Sequence, residues 1–212
     1  MEISRIAALL RPFVELDGPR LEQTSIYINL LVMWNARVNL TAVRSPVEIV
    51  QRHFGESFFA AEKLLGTDAA ESVIDLGSGA GFPGVPIAML KPKVRVTLIE
   101  SNGKKAAFLN EVIRTLNLGN VTVFKNRAEA YPEAAQLVTM RAVEKFSAAA
   151  SLAISLVSPG GRLALMIGAS QLADATALDP TLNWQSPIPI PGGHSRLLLV
   201  GTKPVNVDES RR

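Results

Sequence analysis

The fold is decided by the stretch VIDLGSGAGFPG, which runs from Val73 to Gly84. Its start has the mostly apolar composition of a buried strand, the remainder is a glycine-rich turn, and helix-forming residues follow Gly84. Glycines adopt positive φ and let the backbone approach a ligand closely. In open α/β sheets, ligands bind at the carboxyl ends of the strands. The stretch therefore predicts a strand, a ligand-binding turn and a helix within an α/β sheet.

Apolar runs and helical runs alternate downstream of this turn. Strands are predicted over 72–76, 94–99, 121–124, 137–140 and 161–167, and helices over 84–91, 104–117, 128–135 and 143–157. Such alternation is typical of a parallel, doubly wound sheet. A polar helical connection to about residue 178 then leads to strands over 184–190 and 197–201, joined by a Pro-Gly-Gly turn. We expect a mostly parallel seven-stranded sheet closed by an antiparallel hairpin.

The first 65 or so residues have a helical periodicity. Within them, the run Ser45-Pro46-Val47-Glu48 combines a capping serine, a proline suited to the first helical turn and a glutamate that can reach back to the cap. A helix should begin there and continue to about Leu65. We therefore expect an N-terminal helical extension over 1–66, an α/β domain over 67–204 and a flexible polar tail over 205–212.

Composition excludes several classes of protein. The chain has 212 residues, of which 48% are hydrophobic and none is cysteine, so disulfides, thiolate zinc sites and cysteine nucleophiles are excluded. No apolar run of about 18 residues or secretory signal is apparent, so we expect a soluble cytoplasmic protein, by default a monomer, with no metal. The net charge of +3 allows an anionic partner to meet a local basic patch, although on charge alone an ordinary solvated surface is the favoured interpretation.

The ligand of the glycine turn depends on its context. Gly79, Gly81 and Gly84 also fit the spacing of a dinucleotide fingerprint, which alone is weak. Asp75, two residues before the first glycine, can hold polar or cationic groups directly or through water. S-adenosylmethionine has an ammonium and a sulfonium and lacks the pyrophosphate that a helix N-terminus would bind. The turn resembles the first motif of class I methyltransferases, while a nicotinamide site and a purely structural turn remain alternatives.

Two later positions support an adenosine ligand. Glu100 lies 23 positions after Gly77 (100 − 77), close to the spacing at which an acidic residue binds ribose hydroxyls. The turn Asn126 to Glu129, after the third predicted strand, is placed to border the adenine. Neither position separates the two cofactors.

A more specific resemblance spans residues 25 to 200. It rests on six segments: Asn39-Leu40-Thr41, Arg52-His53, Gly77 to Pro86, Glu100-Ser101 before two lysines, Asn126 to Glu129, and Arg141-Ala142. Together they resemble the RsmG (GidB) family, the bacterial methyltransferases that act on guanine N7 of small-subunit ribosomal RNA. The Gly-Phe-Pro-Gly-x-Pro extension is much more specific than a generic glycine loop.

This resemblance implies a Rossmann-like class I S-adenosylmethionine-dependent methyltransferase that acts on 16S ribosomal RNA, or on the small ribosomal subunit particle, near the decoding site. By position, the expected cofactor contacts are Gly77, Phe82, Glu100, Ala128, Glu129 and Arg141, to which we add Asp75, Gly79 and Ser101. Two positions depart from the family. Ile167 stands where a lysine is usual, and Glu56 stands where an aspartate is usual. These departures bear on the details of RNA binding.

Guanine N7 has a free lone pair, so methyl transfer to it needs alignment but no general base. Arg141, at the end of the fourth predicted strand, could position cofactor or guanine, or form a salt bridge to Asp75 or Glu144. Phosphate contacts are expected from Arg37, Arg52, His53, Lys104 and Arg196, although His53, His194 and Arg196 could also be ordinary surface residues. A methyltransferase of a small molecule and a non-catalytic RNA- or nucleotide-binding module remain alternatives.

Overall fold

The computed structural model describes residues 1–66, 70–141, 146–193 and 195–205. Its sheet is built from β1 (Ser72–Leu76), β2 (Arg95–Ile99), β3 (Val121–Phe124), β4 (Ala135–Arg141), β5 (Val157–Gly168), β6 (Asn183–Trp184), β7 (Ile188–Pro189) and β8 (Arg196–Thr202). The order is β3-β2-β1-β4-β5-β8-β6, and β7 also pairs with β8. Strands β1 to β5 are parallel, while β8 runs antiparallel to β5. The predicted mostly parallel α/β sheet is confirmed.

The predicted strand over 184–190 is split in two. β6 pairs with Gly201 and Thr202, and β7 pairs with Leu197 and Leu198, so both lie along the edge of β8 that faces away from β5. The break falls at Pro187, which has no backbone N–H to donate to a ladder. β6 and β7 therefore share one position beside β8, so the eight strands occupy seven positions in the sheet.

The helices flank this sheet. They are α1 (Ile3–Leu10), α2 (Gly18–Asn35), α3 (Pro46–Glu48), α4 (Glu56–Leu64), α5 (Gly84–Leu90), α6 (Gly103–Leu116), α7 (Phe146–Ser155) and α8 (Leu172–Thr176), and short 3₁₀ turns occupy Ala128–Ala130 and Ala169–Gln171. The predicted helix over 128–135 is wrong, because Pro132 disfavours the helical conformation of the residue before it and the chain continues extended into β4. The predicted residues 143–145 of the next helix lie outside the described residues.

Helices α3 and α4 belong to one continuous helical segment. Ser45 Oγ accepts the Glu48 N–H at 3.5 Å, as the sequence predicts for a helix start. Between the two helices, Ile49–Gly55 forms a π-helix, which no feature of the sequence predicted. A π-helical stretch changes the backbone pairing and is frequent at functional sites. Here it directs the carbonyl groups of Arg52 and His53 toward Arg141 of β4.

The N-terminal helices and the sheet share one hydrophobic core. Ile6, Leu10 and Phe58 are fully buried in the same cluster as Val96 and Leu137 of the sheet. A second cluster on the opposite face packs α7 against β4 and β5. Within the part of the chain that the structure describes, no helix is long and apolar enough to cross a membrane. The boundaries at residues 66 and 204 remain a prediction, and residues 206–212 lie outside the described ranges.

Candidate functional site

The glycine turn after β1 has a conformation that requires glycine. Gly77, Gly79 and Gly81 have φ angles of 67°, 56° and 89°, which L side chains rarely adopt. Gly84 is required for a different reason: a Cβ there would lie 2.3 Å from Leu98 Cδ2 and 2.8 Å from the Asp75 carboxylate. The turn therefore folds tightly over the end of β1, with the start of α5 pressed against the sheet.

Asp75 supports this turn from below. Its carboxylate accepts the Gly84 N–H at 3.1 Å and the Thr139 hydroxyl at 2.8 Å, and the side chain is only 1% exposed. Burial raises the pKa of Asp75 to about 6, against the opposing effect of these hydrogen bonds. Asp75 was expected from the sequence to hold the ligand, whereas its hydrogen bonds fix the backbone of the glycine turn.

Asp75 also distinguishes the two cofactors. A dinucleotide places its pyrophosphate against the free N–H groups at the N-terminus of the helix after the glycine turn. Here the first N–H of α5, from Gly84, is already bound by the buried Asp75 carboxylate. A second anion at that helix end would meet like charge. The geometry disfavours a nicotinamide dinucleotide and is compatible with a ligand that has no pyrophosphate.

A cavity of about 480 Å³ lies at the carboxyl ends of β1, β2 and β3. It brings together five of the nine predicted cofactor residues: Gly77, Glu100, Ser101, Ala128 and Glu129. The other four, Asp75, Gly79, Phe82 and Arg141, do not line it. The turn from Asn126 to Glu129 borders the cavity, as expected for the adenine end of the ligand.

Glu100 is one of two acidic residues that line this cavity, the other being Glu129. The Oε2 of Glu100 accepts the Gly79 N–H at 2.9 Å and its Oε1 accepts the Asn102 N–H at 2.7 Å. Both carboxylate oxygens have further lone pairs, so the group can still accept hydrogen bonds from two ribose hydroxyls. Glu100 therefore joins the glycine turn to the start of α6 and faces the cavity at the same time.

Helix α7 contributes a wall of the cavity that was not predicted from the sequence. Its residues Ala148, Ala149 and Leu152 line the cavity, as does Ile99 at the end of β2. The available signal was the run of three alanines from Ala148, since small residues let a helix come close to a bound ring. These apolar surfaces and the Glu100 carboxylate match a planar base attached to a ribose. The residues present therefore fit S-adenosylmethionine.

Phe82 lies under the turn rather than in the cavity. Its ring stacks on Tyr27 of α2, with ring centres 5.3 Å apart, and on His53, at 5.1 Å. The Tyr27 hydroxyl donates to the carbonyl of Ala80 inside the turn. Burial and the nearby Asp75 charge raise the pKa of Tyr27 well above its usual value, so the hydroxyl stays protonated. The N-terminal helices thus contact the glycine turn directly, a role that no sequence signal assigned to Tyr27.

Arg141 is turned away from the cavity. Its side chain is 6% exposed and lies 3.1 Å from Glu56 Oε2, which also accepts from Arg196 at 3.1 Å. Further donors of Arg141 reach the carbonyls of Arg52 and His53 in the π-helix. Burial lowers the pKa of Arg141 to about 10, and Glu56 opposes this, so the guanidinium stays charged at neutral pH. The observed ion-pair partner is Glu56 rather than Asp75, and Glu144 lies outside the described residues.

His53 is a neutral residue in this structure. Burial and the charges of Arg141, Arg52 and Arg196 lower its pKa to about 3. Its Nε2 lies 2.8 Å from Thr41 Oγ1, and its other ring nitrogen faces Arg141, which can only donate. Nε2 is therefore assigned as the protonated nitrogen. An uncharged imidazole ring attracts a phosphate much less strongly than a protonated ring would. A contact between His53 and an RNA phosphate remains a prediction.

Among the other predicted RNA contacts, Arg52 and Arg196 lie close enough to His53 for their charges to act on it. Arg37, Arg52 and Lys104 are exposed, on the chain after α2, in the π-helix and in the first turn of α6. Arg196 is partly exposed at the start of β8, and His194 lies outside the described residues. No group of three or more His, Cys, Asp or Glu residues in the described ranges could hold a metal ion.

Comparison with known proteins agrees with this geometry. A family model described as rRNA small subunit methyltransferase G (GidB) matches residues 20–189. A ribosomal RNA small subunit methyltransferase G from Roseiflexus sp. (strain RS-1) is 41% identical over 204 residues, covering 90% of this chain and 86% of the relative. The protein of the same name from Xanthomonas euvesicatoria pv. vesicatoria (strain 85-10) is 40% identical over 180 residues, covering 82% and 83%.

Similarity to solved structures supports the fold independently. The structure of the pyocyanin biosynthetic protein PhzM superposes with a TM-score of 0.60 at 14% identity, covering 74% of this chain and 56% of PhzM. Identity this low carries information about the fold alone.

Proposed function

Because the chain belongs to the rRNA small subunit methyltransferase G family, we propose that it transfers a methyl group from S-adenosylmethionine to N7 of a guanine in small-subunit ribosomal RNA. The single observation that carries the proposal is the cavity at the carboxyl ends of β1 to β3, where the glycine turn, Glu100 and the turn at Ala128 meet. It has the acceptor and the apolar surfaces that an adenosine requires.

Methyl transfer to guanine N7 needs no acid or base catalyst from the protein. S-adenosylmethionine supplies an electrophilic methyl group on sulfur. The N7 lone pair forms the new N–C bond as the C–S bond breaks, the bonding pair stays on sulfur, and the positive charge passes to the purine ring. No proton moves, so no general base is needed. This suits a chain without cysteine, whose buried His53 stays neutral.

The protein then acts by binding and alignment. Glu100 holds the ribose, α7 and Ile99 enclose the base, and the Asp75 and Tyr27 hydrogen bonds keep the turn in its binding conformation. Alignment of reacting groups can lower a barrier by about 7–11 kcal/mol. Arg141 acts as a positioning residue through Glu56 and the π-helix. We propose a cytoplasmic enzyme that works as a monomer on ribosomal RNA or the small subunit particle.

The test is methyl incorporation from labelled S-adenosylmethionine into small subunits that lack the modification, mapped by strand scission specific for N7-methylguanine. Wild-type protein should incorporate label at one guanine. Glu100→Gln should weaken cofactor binding more than tenfold, because one carboxylate oxygen is replaced by an amide N–H that faces a backbone N–H.

Glu71→Gln is the matched control, because Glu71 is exposed at the opposite, amino end of β1. Its cofactor affinity should equal that of wild type. Cofactor binding without incorporation would indicate the non-catalytic module, and incorporation into a small molecule but not RNA would indicate the other alternative.

A further inference from the structure

A second, smaller cavity lies at the carboxyl ends of β4 and β5. Its volume is about 280 Å³, and its lining includes Met140, Phe146, Met166, Gly168 and Arg196. The strand residues Met140 and Met166 are 2% and 5% exposed, and Met140 belongs to the same hydrophobic cluster as Phe146. Phe146, at the start of α7, adds an aromatic ring, and Arg196 adds a cation.

The two cavities lie next to each other. Leu76 lines the larger cavity and Met140 lines the smaller one, and these residues are direct partners in the parallel pairing of β1 with β4. Neighbouring strands lie about 4.8 Å apart. Helix α7 also borders both, with Phe146 in the smaller cavity and Ala149 in the larger one. A ligand in each cavity would therefore be within reach of the other across a single strand spacing.

We propose that the smaller cavity binds the target guanine base, an inference that rests on the proposed function. Unpaired RNA bases bind by stacking on aromatic or apolar surfaces and by hydrogen bonds to their edges. Met140 and Phe146, which pack in one hydrophobic cluster at the cavity, offer these surfaces. Arg196 offers N–H donors to guanine O6, an acceptor that adenine lacks.

Arg196 is held for this role by an internal ion pair. Its Nη1 donates to Glu56 at 3.1 Å, and the other guanidinium nitrogens of Arg196 have no partner among residues 1–66, 70–141, 146–193 and 195–205. Arginine has five N–H donors. Contact at O6 alone leaves N7 free to react with a methyl donor bound in the larger cavity.

Gly168 allows the cavity to be filled without strain. Its φ is −78°, and a Cβ would find no atom nearer than 3.7 Å. Gly168→Leu should therefore fold and occupy the cavity. Gly119→Leu is the matched control, because a Cβ at Gly119 meets nothing within 4 Å and Gly119 lies in the loop before β3, at the opposite edge of the sheet.

Three quantities are measured for each protein: S-adenosylmethionine affinity by calorimetry, methyl incorporation into unmodified small subunits, and saturation-transfer NMR with guanosine and adenosine monophosphates. Gly168→Leu should keep cofactor affinity within twofold, lose incorporation at least a hundredfold and lose the guanosine signal. Gly119→Leu should match wild type. Incorporation at the wild-type rate by Gly168→Leu would overturn the inference.

Arg196→Gln is a second test, for the case that Gly168→Leu does not fold. This variant should fold, because the buried Glu56 carboxylate keeps Arg141 as its ion-pair partner. We expect KM for small subunits to rise tenfold or more and the preference for guanosine over adenosine monophosphate to disappear. Arg95→Gln, an exposed arginine at the amino end of β2, is the control. An unchanged preference in Arg196→Gln refutes the base contact. Absence of incorporation by wild type refutes the proposed function instead, and the nucleotide measurement still reports on the cavity.

Discussion

Replacing Tyr27 with phenylalanine tests whether the N-terminal helices hold the cofactor turn in shape. The ring keeps its stacking on Phe82 and its edge contact with Phe54, and only the hydroxyl that donates to Ala80 is lost. Because this carbonyl is buried, loss of its donor should cost about 1–3 kcal/mol. For a chain of this length, the melting temperature should fall by about 2–4 °C for each kcal/mol.

The same hydrogen bond should affect cofactor binding. If the freed turn relaxes, binding must restore its conformation, and 1 kcal/mol of that cost weakens the affinity about fivefold. Calorimetry with S-adenosylmethionine should therefore show a Kd at least about fivefold higher for Tyr27→Phe, and kinetics should show KM for the cofactor rising more than kcat falls.

The other tyrosine of the chain provides the control. The Tyr131 hydroxyl lies 3.3 Å from Thr97 Oγ1, over the middle of β2 and away from the glycine turn. Tyr131→Phe should leave cofactor affinity unchanged. A Tyr27→Phe protein with a lower melting temperature and an unchanged Kd would refute the positioning role and leave only support of the fold.

Three further predictions concern charge. Arg141→Ala should lower stability by about 3–5 kcal/mol in chemical denaturation, because Glu56 keeps only one cation and two carbonyls lose their donor, and replacing Glu56 as well with glutamine should recover part of the loss; a wild-type midpoint would contradict this. The pKa of His53 is lowered to about 3, so the unfolded chain takes up a proton at this residue below pH 6.5 while the folded protein does not. The free energy of unfolding of wild type should therefore fall by about 2–3 kcal/mol more than that of His53→Gln when the pH is lowered from 7.5 to 4.5. Asp75 has a pKa raised from 3.8 to about 6, so wild-type stability should fall by at most about 3 kcal/mol as pH rises from about 4 through 6 and should then stay level; Asp75→Asn should lack this fall, and an identical pH profile in the two proteins would contradict the raised pKa.

Local signals predicted much of the fold and half of the cofactor site. The turn from Gly77 to Gly84 and the acidic residue Glu100 lie at strand ends, and strand ends are readable because apolar runs stop there. In a parallel sheet all such ends meet at one edge, so positions far apart in sequence are brought together by topology alone.

The remaining features depend on packing that no local pattern encodes. Asp75 and Phe82 have the positions expected of ligand contacts, yet hydrogen bonds and stacking place both beneath the turn. The partner of Arg141 is Glu56, which is 85 positions away (141 − 56), and their pairing depends on a π-helix that has no compositional signature. Pairwise contacts at this range are visible only once the chain is folded.

The shared core of the N-terminal helices and the sheet has a consequence for modularity. Tyr27 contributes both to that core and to the conformation of the glycine turn. The N-terminal helices therefore cannot be exchanged between enzymes to change substrate specificity without also affecting the cofactor turn. A chain that begins at β1 would expose the apolar face now covered by Ile6, Leu10 and Phe58, and would also lose the donor to Ala80. Substrate preference and cofactor affinity would therefore change together when these helices diverge, which couples two properties that a modular enzyme could tune separately.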